Sequence, residues 1–375
     1  MKYRLIIRGI AIALCILIMA PMPIARAQTA QPEVKAGGIV LIEATTGKVL
    51  YAKNAHVRLP MASTTKVMTA MLALEHGGLD ALVEITEEAY GEEGSSMYLE
   101  LGEKISLRDL LHGLMLVSGN DAAVAIADYI GGSVENFALL MNQKAKELGA
   151  LNTSFVTPNG LHDDNHYTTA YDLALICQAA MKMPEFRELV STTSYKTTTG
   201  SRIRYLKSKN RILTQYDGGN GIKTGYTKPA GKCLTFAAER DEMQLIGVVL
   251  NCPNMFPGAM SILDYGFTAY KMETIVHKGD VVTRAPVKRG IKNVLALVAK
   301  QDIMIPVLKE GERAYRTRVV LNGIAAPIAA GDELGRLEVW EENKLLTSTA
   351  LVAGEDVAER DLPFYLQRIL LDLAQ

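Results

Sequence analysis

Residues 60–78 read PMASTTKVMTAMLALEHGG, and the interpretation of the chain starts from this stretch. It predicts a helix that begins after Pro60, carries Ser63 and Lys66 in its first turn and ends at Gly77. Because positions i and i+3 share one face of a helix, the Ser63 hydroxyl and the Lys66 amine should lie side by side. A neutral lysine amine can take the proton of a serine, although a lone Ser-x-x-Lys pattern also arises by chance.

A second polar pattern, Ser118-Gly119-Asn120, interrupts an otherwise apolar segment at residues 107–130. The flanking stretches LLHGLMLV and AAVAIADYI are apolar almost all round, which predicts buried helices on both sides. Polar side chains between buried helices need hydrogen-bond partners, so Ser118 and Asn120 are candidates for a site. The same Ser-x-Asn spacing recurs at Ser208, in a polar stretch without such a context.

The third pattern is Lys223-Thr224-Gly225, which is predicted to start a strand that leads toward a hairpin at residues 233–252. Lys223 and Thr224 offer a cation and a hydroxyl that suit a substrate carboxylate. Gly225 would leave the strand open to the backbone of a ligand. The segment is not a phosphate-binding loop, because Ile222 stands where that motif requires glycine.

In this order, the three patterns are those of serine β-lactamases and penicillin-binding proteins. Over residues 34–375 the chain resembles a low-molecular-mass penicillin-binding protein, a serine-type D-alanyl-D-alanine carboxypeptidase. The resemblance extends to four longer blocks, namely YAKNAHVRLPMASTTKVMTAML, GSSMYLELGEKISLRDLLHGLMLVSGNDAA, GLHDDNHYTTAYDLALI and GIKTGYTKPAGKCL. It implies an α/β (α+β) fold, a β-lactamase/transpeptidase-like domain with an antiparallel sheet flanked by helices, followed by a small C-terminal β-rich domain.

The resemblance also implies an activity, the removal of the terminal D-alanine from peptidoglycan pentapeptide stems through an acyl-enzyme, with β-lactam antibiotics as covalent inhibitors. Ser63 would be the nucleophile, Lys66 its base and Ser118 a proton relay. Asn120 would bind the peptide carbonyl, Lys223 and Thr224 would handle the terminal carboxylate and local electrostatics, and Gly225 would also line the substrate-binding strand. The backbone N–H groups of Ser63 and Tyr226 would form the oxyanion hole. For a further carboxylate-binding cation, the sequence offers both Lys209 and Arg211 and does not decide between them.

Two other functions share parts of this pattern. A class A β-lactamase carries a glutamate that activates water, and Glu147 comes near its motif with one residue too many before Asn152. Glu147 also falls at the end of an amphipathic helix predicted from Ser133 to Gly149, where solvent exposure explains it. A catalytically inactive peptidoglycan-binding scaffold would have lost a serine or lysine of the motifs, and here all are present.

Composition excludes several other classes of protein. The 375 residues carry a net charge of −1, which lacks the basic excess of a general nucleic-acid binder. There is no Cys-x-x-Cys pair, and His162 and His166 have the spacing but not the glutamate of a zincin. We therefore expect no metal, no cofactor and no nucleic-acid partner.

The chain begins with a basic segment, an apolar run from Ile10 to Ala20 and Ala25-Arg26-Ala27, which together predict a cleaved signal peptide. Export would place the enzyme outside the cytoplasm, and the resemblance implies a peripheral position on the outer face of the cytoplasmic membrane. The predicted parts are a signal peptide at 1–27, a penicillin-binding serine peptidase domain at 34–272, a β-rich domain at 276–358 and an amphipathic C-terminal helix at 360–375.

The C-terminal segment has an apolar stripe with helical spacing, formed by Leu362, Leu366, Ile369, Leu370 and Leu373. Such a helix can dock on the β-rich domain, or it can lie in a membrane surface, as the resemblance implies. Its only cation after Pro363 is Arg368, so attraction to anionic lipid would add little.

Overall fold

The computed structural model describes residues 30–310 and 314–373. The expected signal peptide at 1–27 lies outside the described residues. Within the described part, nine α-helices and sixteen strands follow one another along the chain. The helices are α1 (Lys66–His76), α2 (Leu107–His112), α3 (Asn120–Gly131), α4 (Val134–Glu147), α5 (Ala170–Ala180), α6 (Pro184–Ser191), α7 (Ile212–Gln215), α8 (Met255–Ala269) and α9 (Leu362–Leu373).

The strands form a central sheet, a C-terminal sheet and three two-stranded ribbons. They are β1 (Gly38–Glu43), β2 (Val49–Lys53), β3 (Leu82–Glu84), β4 (Lys104–Ser106), β5 (Ser194–Lys196), β6 (Tyr205–Lys207), β7 (Gly219–Thr227), β8 (Gly231–Arg240), β9 (Met243–Leu250), β10 (Tyr270–Val276), β11 (Val281–Pro286), β12 (Val294–Ala299), β13 (Ile303–Leu308), β14 (Tyr315–Leu321), β15 (Glu333–Glu341) and β16 (Lys344–Ala353).

The central sheet is antiparallel, with five strands in the order β2-β1-β9-β8-β7. Both of its faces are covered, and alternate residues of β1 show how. Val40 and Ile42 pack into a core shared with α1, α3 and α5, whereas Ile39 and Leu41 pack into a second core with α8. Burial on both faces explains why β1 reads as a continuous apolar run. The expected arrangement of an antiparallel sheet flanked by helices is confirmed.

The helix predicted after Pro60 is present, but its first turn is a 3-10 helix at Ala62–Thr65 rather than an α-helical turn. The α-helix itself begins at Lys66 and is followed by Gly77. A side chain at position 77 would collide with Leu107, because a Cβ there would lie 2.3 Å from the Leu107 Cδ2 atom. Gly77 therefore follows the helix at the point where Leu107 packs against it.

The apolar segment at 107–130 forms α2, a π-helical turn at Gly113–Val117 and α3, with Ser118 and Gly119 between the turn and α3. The next helix, α4, begins as predicted, because the Ser133 side chain accepts a hydrogen bond from the Asn136 N–H group. These helices place the Ser-x-Asn pattern at a break in a buried layer.

Two boundaries differ from the prediction. Lys223-Thr224-Gly225 lies in the middle of β7, not at the start of a strand, because the glycine-rich lead-in already pairs with β8. The sequence predicts a helix from Met260 to Tyr270, whereas helix α8 begins at Met255, five residues earlier. Pro257 does not prevent this, because a proline in the first turn of a helix removes no hydrogen bond. Within the predicted hairpin at 233–252, the sequence favours a turn at Arg240-Asp241-Glu242, and strands β8 and β9 confirm it.

The C-terminal β-rich part expected from the sequence is also confirmed. Strands β11, β12, β16, β15 and β14 form one antiparallel sheet, and β10 pairs with β13. These strands enclose a separate apolar core that includes Leu295, Leu297, Val339 and Leu351. Lys48, in the turn between β1 and β2, forms an ion pair of 2.6 Å with Glu341 of β15.

Helix α9 exposes its apolar stripe instead of docking on the β-rich part. Leu366, Ile369, Leu370 and Leu373 are 52%, 55%, 67% and 78% exposed. The docked alternative is therefore not the arrangement that the structure has. Among the described residues, no single helix is both long and apolar enough to cross a membrane.

Candidate active site

Ser63 and Lys66 meet where the 3-10 turn becomes α1. The Lys66 Nζ atom donates a hydrogen bond of 3.0 Å to the Ser63 Oγ atom. Lys66 is fully buried, whereas Ser63 remains partly exposed. The hydroxyl can therefore be reached by a ligand while the amine stays inside the protein, which is the arrangement needed for a lysine that accepts the serine proton.

Lys66 has two further hydrogen-bond acceptors. Its Nζ atom donates to the Asn120 Oδ1 atom at 2.7 Å and to the Asn159 carbonyl oxygen at 2.6 Å. The three contacts fix the amine next to Ser63. Asn159 was not among the residues expected in the site, because Pro158-Asn159-Gly160 gives only a turn signal in the sequence.

Burial holds the pKa of Lys66 well below its ordinary value, and the charge of Lys223 lowers it further. The carboxylates of Asp121 and Glu92 act in the opposite direction. Because burial dominates, the environment favours the neutral amine that proton abstraction requires.

Asn120 and Asp121 tie a neighbouring loop to the start of α3. The Asn120 Nδ2 atom donates to the Glu93 carbonyl oxygen, and Asp121 accepts hydrogen bonds from the Met97 and Leu99 N–H groups. The amide of Asn120 therefore has its orientation fixed, with its oxygen toward Lys66 and its nitrogen toward the loop.

Ser118 is buried and has a left-handed backbone conformation, with φ of 65°. Among the described residues, the hydrogen bonds of the Lys66 amine go to Ser63, Asn120 and Asn159, and the Ser118 hydroxyl is not one of these partners. A non-glycine residue in this conformation indicates a constrained backbone, as is common at functional sites.

Lys223, in β7, is the second fully buried lysine of this region. Its Nζ atom donates to the carbonyl oxygen of the adjacent Thr224 at 2.9 Å. Burial and the nearby charge of Lys209 lower the pKa of Lys223 to about 7. Thr224 is half-buried beside it, and Tyr226 is largely exposed further along the strand.

Gly225 brings β7 against the turn that carries Ser63. A Cβ atom at this position would lie 3.0 Å from the backbone nitrogens of Ser63 and Thr64. Such contacts are tighter than most real Cβ contacts, and both neighbours are main-chain atoms, so glycine permits this close approach without displacing the turn. The three sequence patterns, far apart in the chain, thus meet at one place.

Lys209 and Arg211 have different surroundings. The Lys209 Nζ atom donates to the Val117 carbonyl oxygen at 3.4 Å, next to Ser118. Arg211 instead donates to the Gln215 Oε1 atom, and its guanidinium lies 5.2 Å from the Phe256 ring centroid. Of the two cations left open by the sequence, Lys209 is the one beside the site.

His166 supports the turn that carries Ser63. Its Nδ1 atom accepts a hydrogen bond from the Val156 N–H group, so its Nε2 atom is the one that donates to Thr65 Oγ1, at 2.7 Å. Burial lowers the pKa of His166 to about 4, which keeps the ring neutral. Both ring nitrogens therefore form hydrogen bonds within the protein, and His166 has a structural role.

Glu147, the residue that a β-lactamase interpretation would need, lies at the exposed end of α4. Its carboxylate contacts Lys144 at 3.4 Å and accepts a hydrogen bond from Gln143. This is the solvated helix face predicted from the sequence pattern.

Comparisons with known proteins agree with this geometry. A model of the D-alanyl-D-alanine carboxypeptidase family matches residues 25–254, and a model of the C-terminal domain of penicillin-binding protein 5 matches residues 270–359. The D-alanyl-D-alanine carboxypeptidase DacF of Bacillus subtilis is 34% identical, over 96% of each chain. The carboxypeptidase DacA of Haemophilus influenzae is 32% identical, over 88% of this chain and 86% of the relative.

Solved structures give the same result. Penicillin-binding protein 5 from Haemophilus influenzae superposes with a TM-score of 0.74 at 31% identity, covering 88% of this chain and 99% of that one. Penicillin-binding protein 3 from Streptococcus pneumoniae gives a TM-score of 0.78 at 27% identity, covering 87% and 100%. The chain therefore belongs to the D-alanyl-D-alanine carboxypeptidase family of low-molecular-mass penicillin-binding proteins.

Proposed function

We propose that the protein removes the terminal D-alanine from peptidoglycan pentapeptide stems by acyl transfer to Ser63. The observation that carries this proposal is the buried Lys66 amine, held 3.0 Å from the Ser63 hydroxyl in surroundings that lower its pKa. Lys66 takes the hydroxyl proton as Ser63 Oγ attacks the carbonyl carbon of the penultimate D-alanine. The terminal D-alanine leaves with a proton, and water then hydrolyses the ester and restores Ser63.

The other residues bind and orient the substrate. Asn120 binds the peptide carbonyl, and Lys223 with Thr224 receives the terminal carboxylate, with Lys209 as the additional cation nearby. The backbone N–H groups of Ser63 and Tyr226 stabilise the oxyanion. The close approach of Gly225 to the Ser63 backbone supports that assignment.

Ser118 passes a proton from Lys66 to the leaving amine in this scheme. In the free enzyme the amine of Lys66 is bound to other acceptors, so the relay requires the Ser118 hydroxyl to engage when substrate arrives. Hydrogen bonds of a catalytic group often tighten only in the complex, which makes this sequence of events physically reasonable.

Penicillins enter the same reaction as inhibitors. Attack of Ser63 on the β-lactam carbonyl opens the ring, and the leaving nitrogen stays attached to the acyl group. The acyl-enzyme formed in this way blocks the site until water can reach the ester.

The test is a labelling experiment with a fluorescent penicillin, followed by denaturing electrophoresis and mass spectrometry. Ser63→Ala should abolish both the label and the release of D-alanine from a pentapeptide, whereas the exposed control Ser201→Ala should keep both. A penicilloyl adduct on another residue would refute the assignment. An intact protein that takes no label would be the inactive scaffold, and one that releases the label within seconds would be a β-lactamase.

In this proposal, residues 1–27 are removed during export. The mature protein then acts outside the cytoplasm, where its polymeric substrate lies. The division into a peptidase domain at 34–272, a β-rich domain at 276–358 and a C-terminal helix at 360–375 also remains a proposal. It is supported by the ranges of the two family-model matches and by the separate apolar core of the β-rich part.

Helix α9 attaches the enzyme weakly to the outer face of the cytoplasmic membrane in this proposal. Its exposed leucine and isoleucine side chains can be buried in the lipid interface, and each adds a favourable apolar contribution. Arg368 is the only cation of α9, so high salt should release little protein.

Cell fractionation tests this attachment. A chain truncated after Glu359 should move from the membrane fraction to the soluble fraction, and a Leu366→Asp, Ile369→Asp double variant should behave in the same way. The control Gln367→Asp changes the charge without touching the stripe and should stay with the membrane. Equal partitioning of the truncated and intact proteins would exclude α9 as the attachment.

A further inference from the structure

The carboxylate of Glu92, a residue outside the three sequence patterns, is linked to Lys66 through Asn159. The Asn159 Nδ2 atom donates a hydrogen bond of 2.8 Å to the Glu92 Oε1 atom. The main chain of the same asparagine accepts the 2.6 Å hydrogen bond from the Lys66 amine. Asn159 is buried, and its Oδ1 atom accepts a hydrogen bond from the Leu161 N–H group, so it is the Nδ2 group that needs Glu92 as its acceptor.

Glu92 is half-buried and lines a cavity of about 330 Å³ together with Asn159 and two further glutamates, Glu88 and Glu135. Burial raises the pKa of Glu92, and the hydrogen bond from Asn159 opposes that rise. The neighbouring Glu93 is exposed, and its carbonyl oxygen accepts a hydrogen bond from Asn120; its charge raises the pKa of Glu92 but is not among the charges that shift the pKa of Lys66. Glu92 is therefore positioned to influence Lys66 through Asn159, and a substitution of Glu93 serves as the matched control for a substitution of Glu92.

The charged groups that face Lys66 come from three other elements. Besides Glu92, the charged groups are Asp121 from α3 and Lys223 from β7, and the third element contributes His166, a neutral ring behind Thr65. Asp121 and Glu92 favour the protonated amine, whereas Lys223 disfavours it. Of the two carboxylates, Asp121 also holds the backbone of the loop at Met97, so only Glu92 can be neutralised without disturbing that loop.

We propose that Glu92 is a positioning residue for acylation, which holds Lys66 in place through Asn159 and stabilises the ammonium that forms when Lys66 takes the Ser63 proton. This inference rests on the proposed role of Lys66 as the base. The negative charge makes Lys66 a stronger base, and a stronger base drives proton transfer more effectively once it is deprotonated.

Two substitutions separate the charge from the hydrogen bond. Glu92→Gln keeps an oxygen that can accept from Asn159 but removes the charge, and Glu92→Ala removes both. The readout is the second-order rate of acylation by a fluorescent penicillin between about pH 5 and about pH 9, where the acid limb reports the pKa of Lys66. Thermal unfolding of each variant accompanies the profile.

Removing the charge lowers the pKa of Lys66, so the acid limb of Glu92→Gln should move to lower pH by about half a unit, with a plateau reduced about twofold. Glu92→Ala should show the same displacement and a plateau lowered about tenfold, because the Nδ2 group of Asn159 loses its acceptor and the carbonyl oxygen that holds Lys66 is less well fixed. Glu93→Gln makes the same change of charge one residue away and should match the wild type. A purely structural role of Glu92 would lower the rate equally at every pH without moving the limb.

An acid limb of Glu92→Gln that superimposes on the wild type would overturn the inference, as would an equal displacement in Glu93→Gln. Equal plateaus for the Gln and Ala variants would refute the positioning through Asn159. Failure of the underlying function gives a different result, because a wild-type protein without any Ser63 acylation would show no profile at all.

Discussion

The first turn of α1 and the middle of β7 each bury one lysine completely, but the two lysines differ in the charged groups that surround them. The Lys66 amine has three acceptors and two carboxylates that act on it, Asp121 and Glu92. The Lys223 amine donates to the carbonyl of its neighbour, and the nearby charge that acts on it is another cation. One region offsets part of its lysine's charge, against burial and the like charge of Lys223, and the other leaves the lysine's charge without an opposite charge.

This difference indicates two kinds of chemistry. A lysine with partly compensated charge can lose and regain a proton with little movement, which suits a base. A buried cation next to a second cation is stabilised only when an anion arrives, which suits the recognition of a carboxylate. In the proposed function, the terminal carboxylate of the substrate would supply the opposite charge that Lys223 lacks in the free protein.

The largest effect should come from Lys66→Arg, which keeps a positive charge but cannot provide a neutral amine. We expect the acylation rate to fall at least about 10²-fold, because the Ser63 proton then has no acceptor. Rapid-quench labelling with penicillin measures it, and Lys232→Arg on an exposed position of β8 is the control. Acylation at nearly the normal rate would show that another group takes the proton.

Lys223→Met should reduce kcat/KM for a pentapeptide about 30-fold, mainly through KM, since it removes a charged partner of the carboxylate. The same change should stabilise the fold by about 1–2 kcal/mol near neutral pH, because a buried cation without an opposite charge is replaced by a side chain of similar size. Lys66→Met should not stabilise it, since Asn120 and Asn159 then lose their donor.

Chemical denaturation of the two methionine variants, with the exposed Lys228→Met as a control, measures this contrast. If Lys223→Met destabilises the protein as much as Lys66→Met does, then the two lysines are not differently compensated. In that case the comparison between the two regions would be wrong.

The pH dependence of kcat/KM should reflect both regions. Activity rises as Lys66 becomes neutral, and it falls as Lys223 loses its proton above its pKa of about 7. We therefore expect a bell-shaped profile in which the alkaline limb lowers kcat/KM about tenfold by about pH 8–9. Lys223→Met should lack the alkaline limb. A wild-type profile that stays flat above neutral pH would contradict the low pKa of Lys223.

Much of this arrangement could be predicted from the sequence, because its signals are local. Helical spacing placed Ser63 beside Lys66, and the break in an apolar run marked Ser118 and Asn120. The strand limits around Lys223 were wrong, because glycines that normally signal a turn here pair with β8 in the interior of a sheet. Tertiary pairing overrides such local preferences.

The residues that were missed act through groups that carry no sequence signal. Asn159 contributes a main-chain carbonyl, and any residue type has one. Glu92 lies in a polar loop where glutamates are ordinary, and only the fold brings it to Asn159. The sequence also could not decide which of Lys209 and Arg211 is the cation beside the site. That depends on the direction in which each side chain extends, and the spacing of two nearby residues does not determine it.

The smallest predicted effect concerns these last two cations. Lys209→Ala should raise KM for the pentapeptide about threefold at low salt, since an exposed charge adds little to carboxylate binding. It should also move the alkaline limb to higher pH, because the Lys209 charge is one reason that the pKa of Lys223 is low. Arg211→Ala should change neither quantity, because Arg211 contacts Gln215 and Phe256. If Arg211→Ala alone raised KM, Arg211 rather than Lys209 would be the cation that assists Lys223 in binding the substrate carboxylate.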